Sequence, residues 1–370
     1  MNNHSNIMNH LSNTKRAQQS GFSLVELLVA MTIGAILIGG VATVFSGTKR
    51  SSDINGSLTE MQESARFALE SIMREARMAG FQGCVDLNTA SATIKADTAP
   101  TTNLSATAIQ SSLVTGPTTW TPAPPMNFTI PDAVARPVPG THTLSVQFGS
   151  PQTFTLNPLQ RVDDPIVLEQ ATDNFVQGDL ALISNCQVAD IVTITAVAGA
   201  TLTHDGSENS GDDRLSATYG QAGPQNRARI MRFEANIFYI GDTTRRNSDG
   251  DPVYALYRQT LPYDRPPVEM VEGVETMRIR LGYRNPPSTN ITFVSPESVR
   301  PPGQIVSVQI GLLLQSIDPV TDTEDEKSYY LSGDQILPVT ASGAVMGQTH
   351  AGDRRLRMAF SSSVTIRNRR

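Results

Sequence analysis

Between Leu27 and Thr48 the chain carries no charged side chain. A helix of about 20 mainly apolar residues is long enough to cross the hydrocarbon core of a bilayer. No later segment compares with this one, so the sequence predicts a single span and one large domain outside it. A cleaved secretory signal would hold a shorter apolar core, about 7–15 residues, ending in a small-residue cleavage site. The run is too long for that and is expected to stay with the mature protein. A chain with several spans would have a far higher mean hydropathy than the −0.19 found over all 370 residues.

What precedes the run is unusual. Residues 1–20 are polar, with Lys15 and Arg16 as their only charges, and Gly21-Phe22-Ser23-Leu24-Val25-Glu26 follows. Glu26 stands at the edge of the apolar stretch. A carboxylate is costly inside a membrane, roughly 2.5–3.5 kcal/mol at a helix centre for an acidic residue, and less near the surface. Taken alone it reads as an interfacial residue. Taken with its neighbours, Gly-Phe-Ser-Leu-Val-Glu before an apolar helix resembles a type IV prepilin signal. That resemblance implies cleavage after Gly21 by a membrane prepilin peptidase, methylation of the new N-terminus at Phe22, and a role for Glu26 in filament assembly. The new terminal amine of one subunit would neutralise the Glu26 of its neighbour, because a buried charge is tolerable only when paired. Lys15-Arg16 and Lys49-Arg50 flank the run evenly, so charge counting does not orient it. The resemblance does, with the leader cytoplasmic and the bulk periplasmic.

The helix is expected to continue past the span. Leu58, Met61, Ala65, Ala68, Ile72, Ala76 and Ala79 recur at spacings of three and four, which makes one apolar helix face. Gly80 is the expected stop. Further blocks then resemble the PilW family of minor pilins: Arg66-Phe67-Ala68-Leu69, Arg77 to Cys84, Gly178 to Asp190, Val271 to Glu275, and Asp353-Arg354-Arg355-Leu356-Arg357 to Arg367-Asn368-Arg369-Arg370. Residues 85–165 and 285–304 carry no such block.

The resemblance implies an α+β pilin fold, a long N-terminal helix packed on a large antiparallel β-sheet head. The expected layout is a leader at 1–21, a membrane and filament-core helix at 22–48, an amphipathic half at 49–80, and a periplasmic head at 81–370. It also implies partners: the prepilin peptidase, the major pilin, other minor pilins of the PilV, PilX and FimU kinds, and a PilY-type tip adhesin. The precursor would sit in the inner membrane, and the assembled protein at the extracellular pilus tip, supporting twitching motility and adhesion. In such a compartment Cys84 and Cys186 suggest a disulfide, with two separate buried thiols as the alternative. Closing a loop of about 100 residues stabilises by up to roughly 4.7 kcal/mol in the chain-entropy account.

The rest reads as β. Strands are expected at Thr141–Gly149, Arg229–Ile240, Val253–Arg258, Met277–Arg284 (one buried and one basic face), Ile305–Leu314 (central) and from Leu356 to Ile366. A hairpin is expected over 190–204 with Gly199 in its turn. Residues 86–135, rich in Thr, Ala, Ser and Pro, read as a surface insertion.

Little points to catalysis. There is no Gly-x-Ser-x-Gly, no phosphate-binding Gly loop and no His-Glu-x-x-His. Five His and two Cys, with His4 and His10 in the leader, leave little for a metal centre, and no cofactor is expected. Asn247 to Asp251 reads as a hairpin turn that lacks the distal Glu of a calcium loop, and Asp322 to Glu326 as a solvated acidic loop. The C-terminal Arg cluster reads as a solvated strand face, or as a contact for an acidic partner. A net charge of −6 argues against direct nucleic-acid binding. Two other functions stay open: a J-type minor pseudopilin of type II secretion, and a single-span anchored binding protein that never enters a filament.

Overall fold

The computed structural model describes residues 23–87, 90–123, 135–221, 228–260, 266–342 and 348–368. Its first long element is the helix Leu24–Met78. The chain divides into two compact units at Asp53/Ile54. In the first, an 18-residue helical window has a mean hydropathy of 2.3 and none of it is buried. Gly34, Gly39, Gly40 and Gly47 do not interrupt the helix.

The second unit is strand-rich. Its helical residues bury Met61, Ala65, Ala68, Leu69, Ile72 and Ala76, the expected face with Leu69 added. That face packs in a core with Leu144, Val146, Phe148, Phe238, Ile279, Ile310 and Leu312. Leu58 lies at its partly buried margin. The helix ends at Met78, and Gly80 takes the left-handed conformation at φ +72°. A side chain at Gly80 would collide with Leu87. The freed end is closed from two sides: Gly80 N donates to Gln147 O at 2.8 Å, and Asn368 Nδ2 donates to the carbonyls of Met78 and Ala79 at 3.4 Å. Glu75 fastens the helix to the sheet by accepting from Asn236 Nδ2 (2.8 Å) and Arg258 Nη1 (3.2 Å). Burial pushes its carboxyl up from the usual range, against the pull of those two partners.

Two large sheets carry the core. The larger runs through Thr93–Ile94, Ala189–Thr193, Leu180–Ser184, Arg229–Arg246, His142–Thr155, Ile109–Gly116 and Thr119–Thr121. Strand Arg229–Arg246 is its spine: residues 229–232 pair with Leu180–Ser184, and residues 236–246 pair with Pro252–Thr260. Val268–Glu272 adds beyond Pro252–Thr260. The second sheet has the order Ile291–Val294, Val274–Arg284, Gln304–Gln315, Arg357–Thr365 and is antiparallel throughout. Gln304–Gln315 is thus interior, as its two apolar faces predicted. The α+β class, a long helix followed by a mostly β head, stands.

Three expectations are corrected. Residues 86–135 are not a surface insertion over their described part. Ile109–Gly116 is paired in the main sheet, and Leu87, Ala92, Ala96, Leu104 and Ala108 are buried in a second core. The segment hides its role because its buried positions are largely alanines and hydroxyls, such as Ser111, whose Oγ donates to Thr143 O at 2.6 Å. The hairpin expected over 190–204 is shorter. Ala196–Ala198 pairs with Thr201–Thr203 around Gly199 (φ +62°), while Asp190 belongs to the main sheet.

The third correction concerns the basic face of Val274–Arg284, which is buried at Arg278 and half-buried at Arg280 and Arg284. Arg278 is only 2% exposed, and Arg280 Nη2 reaches Asp334 Oδ1 at 2.9 Å. Arg278 Nη1 donates to His142 Nε2 at 3.0 Å, and His142 Nδ1 lies 3.2 Å from Ile279 O. Ile279 N also donates to His142 Nδ1, at 3.0 Å, and the contact from the Arg278 guanidinium fits a neutral imidazole. Burial, and next the Arg278 charge, push His142 down to about 3.

Candidate functional site

Ser23 O accepts from Leu27 N at 3.1 Å, so the helix starts there. Ser23-Leu24-Val25-Glu26 has the spacing of a capping box. Glu26 falls in the first turn, where the helix dipole favours an anion. It is exposed, as are its apolar neighbours; Leu24 is 75% accessible and Val25 65%. Gly21 and Phe22 lie outside the described residues. A side chain at Gly34, Gly39, Gly40 or Gly47 would meet nothing within 4 Å. These glycines therefore answer no need of the chain's own packing, yet small residues let another helix approach closely. Thr32, Thr43 and Thr48 turn their hydroxyls back onto the carbonyls four residues earlier, at 2.7, 2.8 and 2.9 Å. Each of these threonine hydroxyls is thereby satisfied within the helix itself. The arrangement is a carboxylate on an apolar rod, suited to lateral packing with a cation beside Glu26.

The disulfide joins Cys84 to Cys186 across a Cα separation of 4.9 Å. It links the segment just beyond the helix to the turn that follows Leu180–Ser184. Gly83, at φ +82°, lets the backbone pass Ser184: an added Cβ would come 2.8 Å from its Oγ.

Within the C-terminal arginine cluster Arg354 and Arg367 are exposed, but Arg355 and Arg357 are not part of a solvated face. Arg357 is fully buried on its side chain. Its Nε bonds Glu275 Oε2 at 2.7 Å, its Nη2 lies 2.9 Å from Asp353 Oδ1, and its Nη1 lies 3.6 Å from Asp325 Oδ2. Arg355, also buried, bonds Asp353 Oδ2 through Nε at 2.7 Å and Pro252 O through Nη1 at 3.0 Å. Burial would raise the Asp353 carboxyl, but Arg355 and Arg357 outweigh it and hold it at about 2. Asp325, from the acidic run expected to be solvated, also accepts from Tyr329 Oη at 2.7 Å. Val271 to Glu275 and Asp353 to Arg357, far apart in sequence, thus meet in one charge network. Sequence reasoning singled out both blocks but had no signal for their contact, because a charged strand looks the same whether it faces water or opposite charge.

Removing one partner of such a pair leaves the other buried and uncompensated, which costs about 3–5 kcal/mol. Glu275→Ala should lower stability by that order, read as a fall in the urea midpoint of the detergent-solubilised protein. Glu275→Gln, which keeps an acceptor for Arg357, should lose less.

Among the described residues no group of three or more His, Cys, Asp or Glu is placed to hold a metal ion. Asn247 Oδ1 is spent on the turn, accepting from Asp249 N (3.0 Å) and Asp251 N (2.8 Å), and Asp249 pairs with Arg354 at 2.7 Å.

Comparison with known families gives two matches. Residues 16–42 match the prokaryotic N-terminal methylation motif. Residues 237–368 match the family described as type IV pilus-assembly protein W. The second match contains every member of the Arg355–Arg357 network. No curated protein and no solved structure matches the chain.

Proposed function

We propose that this PilW-like type IV pilus minor pilin primes pilus assembly and remains in a complex at the pilus tip. The prepilin signal and the apolar helix fit a membrane-anchored pilin. In this reading the peptidase cuts after Gly21 and Phe22 is methylated. The loss of Lys15 and Arg16 then takes two positive charges from the leader side of the helix. The freed helix enters a bundle of pilin helices, where Glu26 pairs with the terminal amine of a neighbour. The protein acts by assembly rather than catalysis. Its partners are other minor pilins of the PilV, PilX and FimU kinds and a PilY-type adhesin, so twitching motility and adhesion depend on it indirectly.

The observation that carries this reading is the helix of the first unit. It is apolar and unburied, and in its first turn it bears a carboxylate that no cation of the described residues neutralises. A lone membrane anchor has no use for that charge, whereas a subunit that must find a register has. The PilW match over the head favours a pilus over a secretion pseudopilus.

Gold-labelled antibody against the head tests the location on intact filaments. Label confined to one end, together with a fall in filament number when the chain is deleted, is the expected result. Label spread along the shaft, or unchanged piliation after deletion, would overturn the tip assignment.

A further inference from the structure

Strand Arg357–Thr365 forms one edge of the second sheet, with Gln304–Gln315 on its inner side. Ile366 N donates to Val306 O at 2.9 Å, and Ser316 N donates to Leu356 O at 2.8 Å. Even-numbered residues therefore turn their backbone groups inward, and by alternation Ala359, Ser361, Ser363 and Thr365 turn theirs outward. Arg367, next in that outward series, spends its N–H on Arg77 O at the end of the helix, at 3.3 Å. Among the described residues no strand pairs with the positions before it, which present an open ladder.

Natural sheet edges are blunted by charge, proline, bulges or shortness, because an open ladder recruits other strands. The other edges here follow that rule. Val268–Glu272 carries Glu269 and Glu272 and has a register shift, while Ile291–Val294, Thr119–Thr121 and Thr93–Ile94 are four, three and two residues long. Strand Arg357–Thr365 is nine residues long and keeps unbroken register. From Met358 to Thr365 it has no charge, proline or glycine. Met358 and Phe360 remain only partly buried at the margin of the helix-facing core, while Ser361, Ser363 and Thr365 are exposed. At the far end Arg77 and Arg367 are both exposed, and no carboxylate of the described residues pairs with either.

We propose that this edge is a strand-addition site for an extended segment of another pilus subunit. The charge at its end specifies the partner: the segment carries a carboxylate that meets Arg77 and Arg367. Its alternate residues are apolar, completing the cover over Met358 and Phe360, and the intervening ones are small or polar. The main-chain ladder supplies affinity and the side chains specificity, as in other strand-addition complexes. The proposal rests on the pilin reading above.

The test uses the full chain in cells that make the pilus. A photo-crosslinking residue replaces Ser361 in one strain and Val44, in the apolar helix, in another. The Ser361 probe should mark an extended, acidic-ended segment of another pilus subunit. Ser363→Pro removes an outward N–H while sparing the bonds to Gln304–Gln315, and should cut that adduct by about tenfold or more, the equivalent of ~1.4 kcal/mol. Arg367→Glu should weaken it too. If Ser363→Pro fails to form its disulfide, Ser363→Glu, which keeps every backbone bond, takes its place. An adduct to the same strand of a second copy, an adduct unchanged by these substitutions, or no adduct at Ser361 while the Val44 probe reacts would overturn the strand site alone. Silence at both probes would bring down the pilin reading, and the strand site with it.

Discussion

Replacing Glu26 by alanine should leave the chain inserted in the membrane but missing from sheared filaments. Insertion depends on the apolar residues, and removing a carboxylate makes the helix a better membrane segment, not a worse one. What is lost is the partner for a neighbour's terminal amine, and with it the energetic preference for one register among many along a smooth apolar rod. Incorporation should fall by about tenfold or more, since ~1.4 kcal/mol is enough for that factor. Glu26→Asp keeps the charge on a shorter stem and should recover part of the loss. Immunoblots of sheared pili against membrane fractions make the measurement. Alanine-substituted protein at wild-type levels in the pili would mean that this carboxylate does not set register, and a plain membrane anchor would then be the better account.

The second large effect is expected from the disulfide. Cys84 and Cys186 are 102 positions apart, and the chain-entropy account gives roughly 4.7 kcal/mol for a loop of about that size, as an upper figure. Losing several kcal/mol is serious for a domain whose whole net stability is about 5–15 kcal/mol. The double substitution Cys84→Ser, Cys186→Ser should therefore lower the urea midpoint sharply and reduce the amount of full-length protein in cells. The bond pins the connection between the helix and the second core, so limited proteolysis should open first in residues 81–123. A double variant with an unchanged midpoint would show that packing alone holds that segment.

The helix was legible because two independent periodicities mark it: an uncharged run, then a spacing of three and four from Leu58 to Ala79. The central strand Gln304–Gln315 was legible because both of its faces are apolar, and the disulfide because the compartment made pairing the expected state. What escaped reading was burial that does not look apolar. Ile109–Gly116 sits in the main sheet with buried serines, and Arg278, Arg355 and Arg357 are buried alongside the core leucines. Local sequence gives a charged residue the same appearance whether it meets water or a carboxylate from a strand 82 positions away. At the candidate site, the sequence carried the place of Glu26 at the edge of the apolar helix, while Gly21 and Phe22 lie outside the described residues. The open edge of Arg357–Thr365 could not be seen before the strand order was known, because its uncharged run reads equally well as the interior of a sheet.

The closing of the helix end by Asn368 has a consequence in time. The contacts of Met78 and Ala79 with Asn368, and of Met73 with Ser362, span about 290 positions. Domains dominated by such distant contacts fold slowly, because a large chain entropy is lost before the contacts form. The apolar stripe from Met61 to Ala79 leaves the ribosome early, but the strand that completes its cover follows almost 300 residues later. Throughout that interval the stripe lacks its native cover, and the unfinished head depends on whatever shields apolar surface around it.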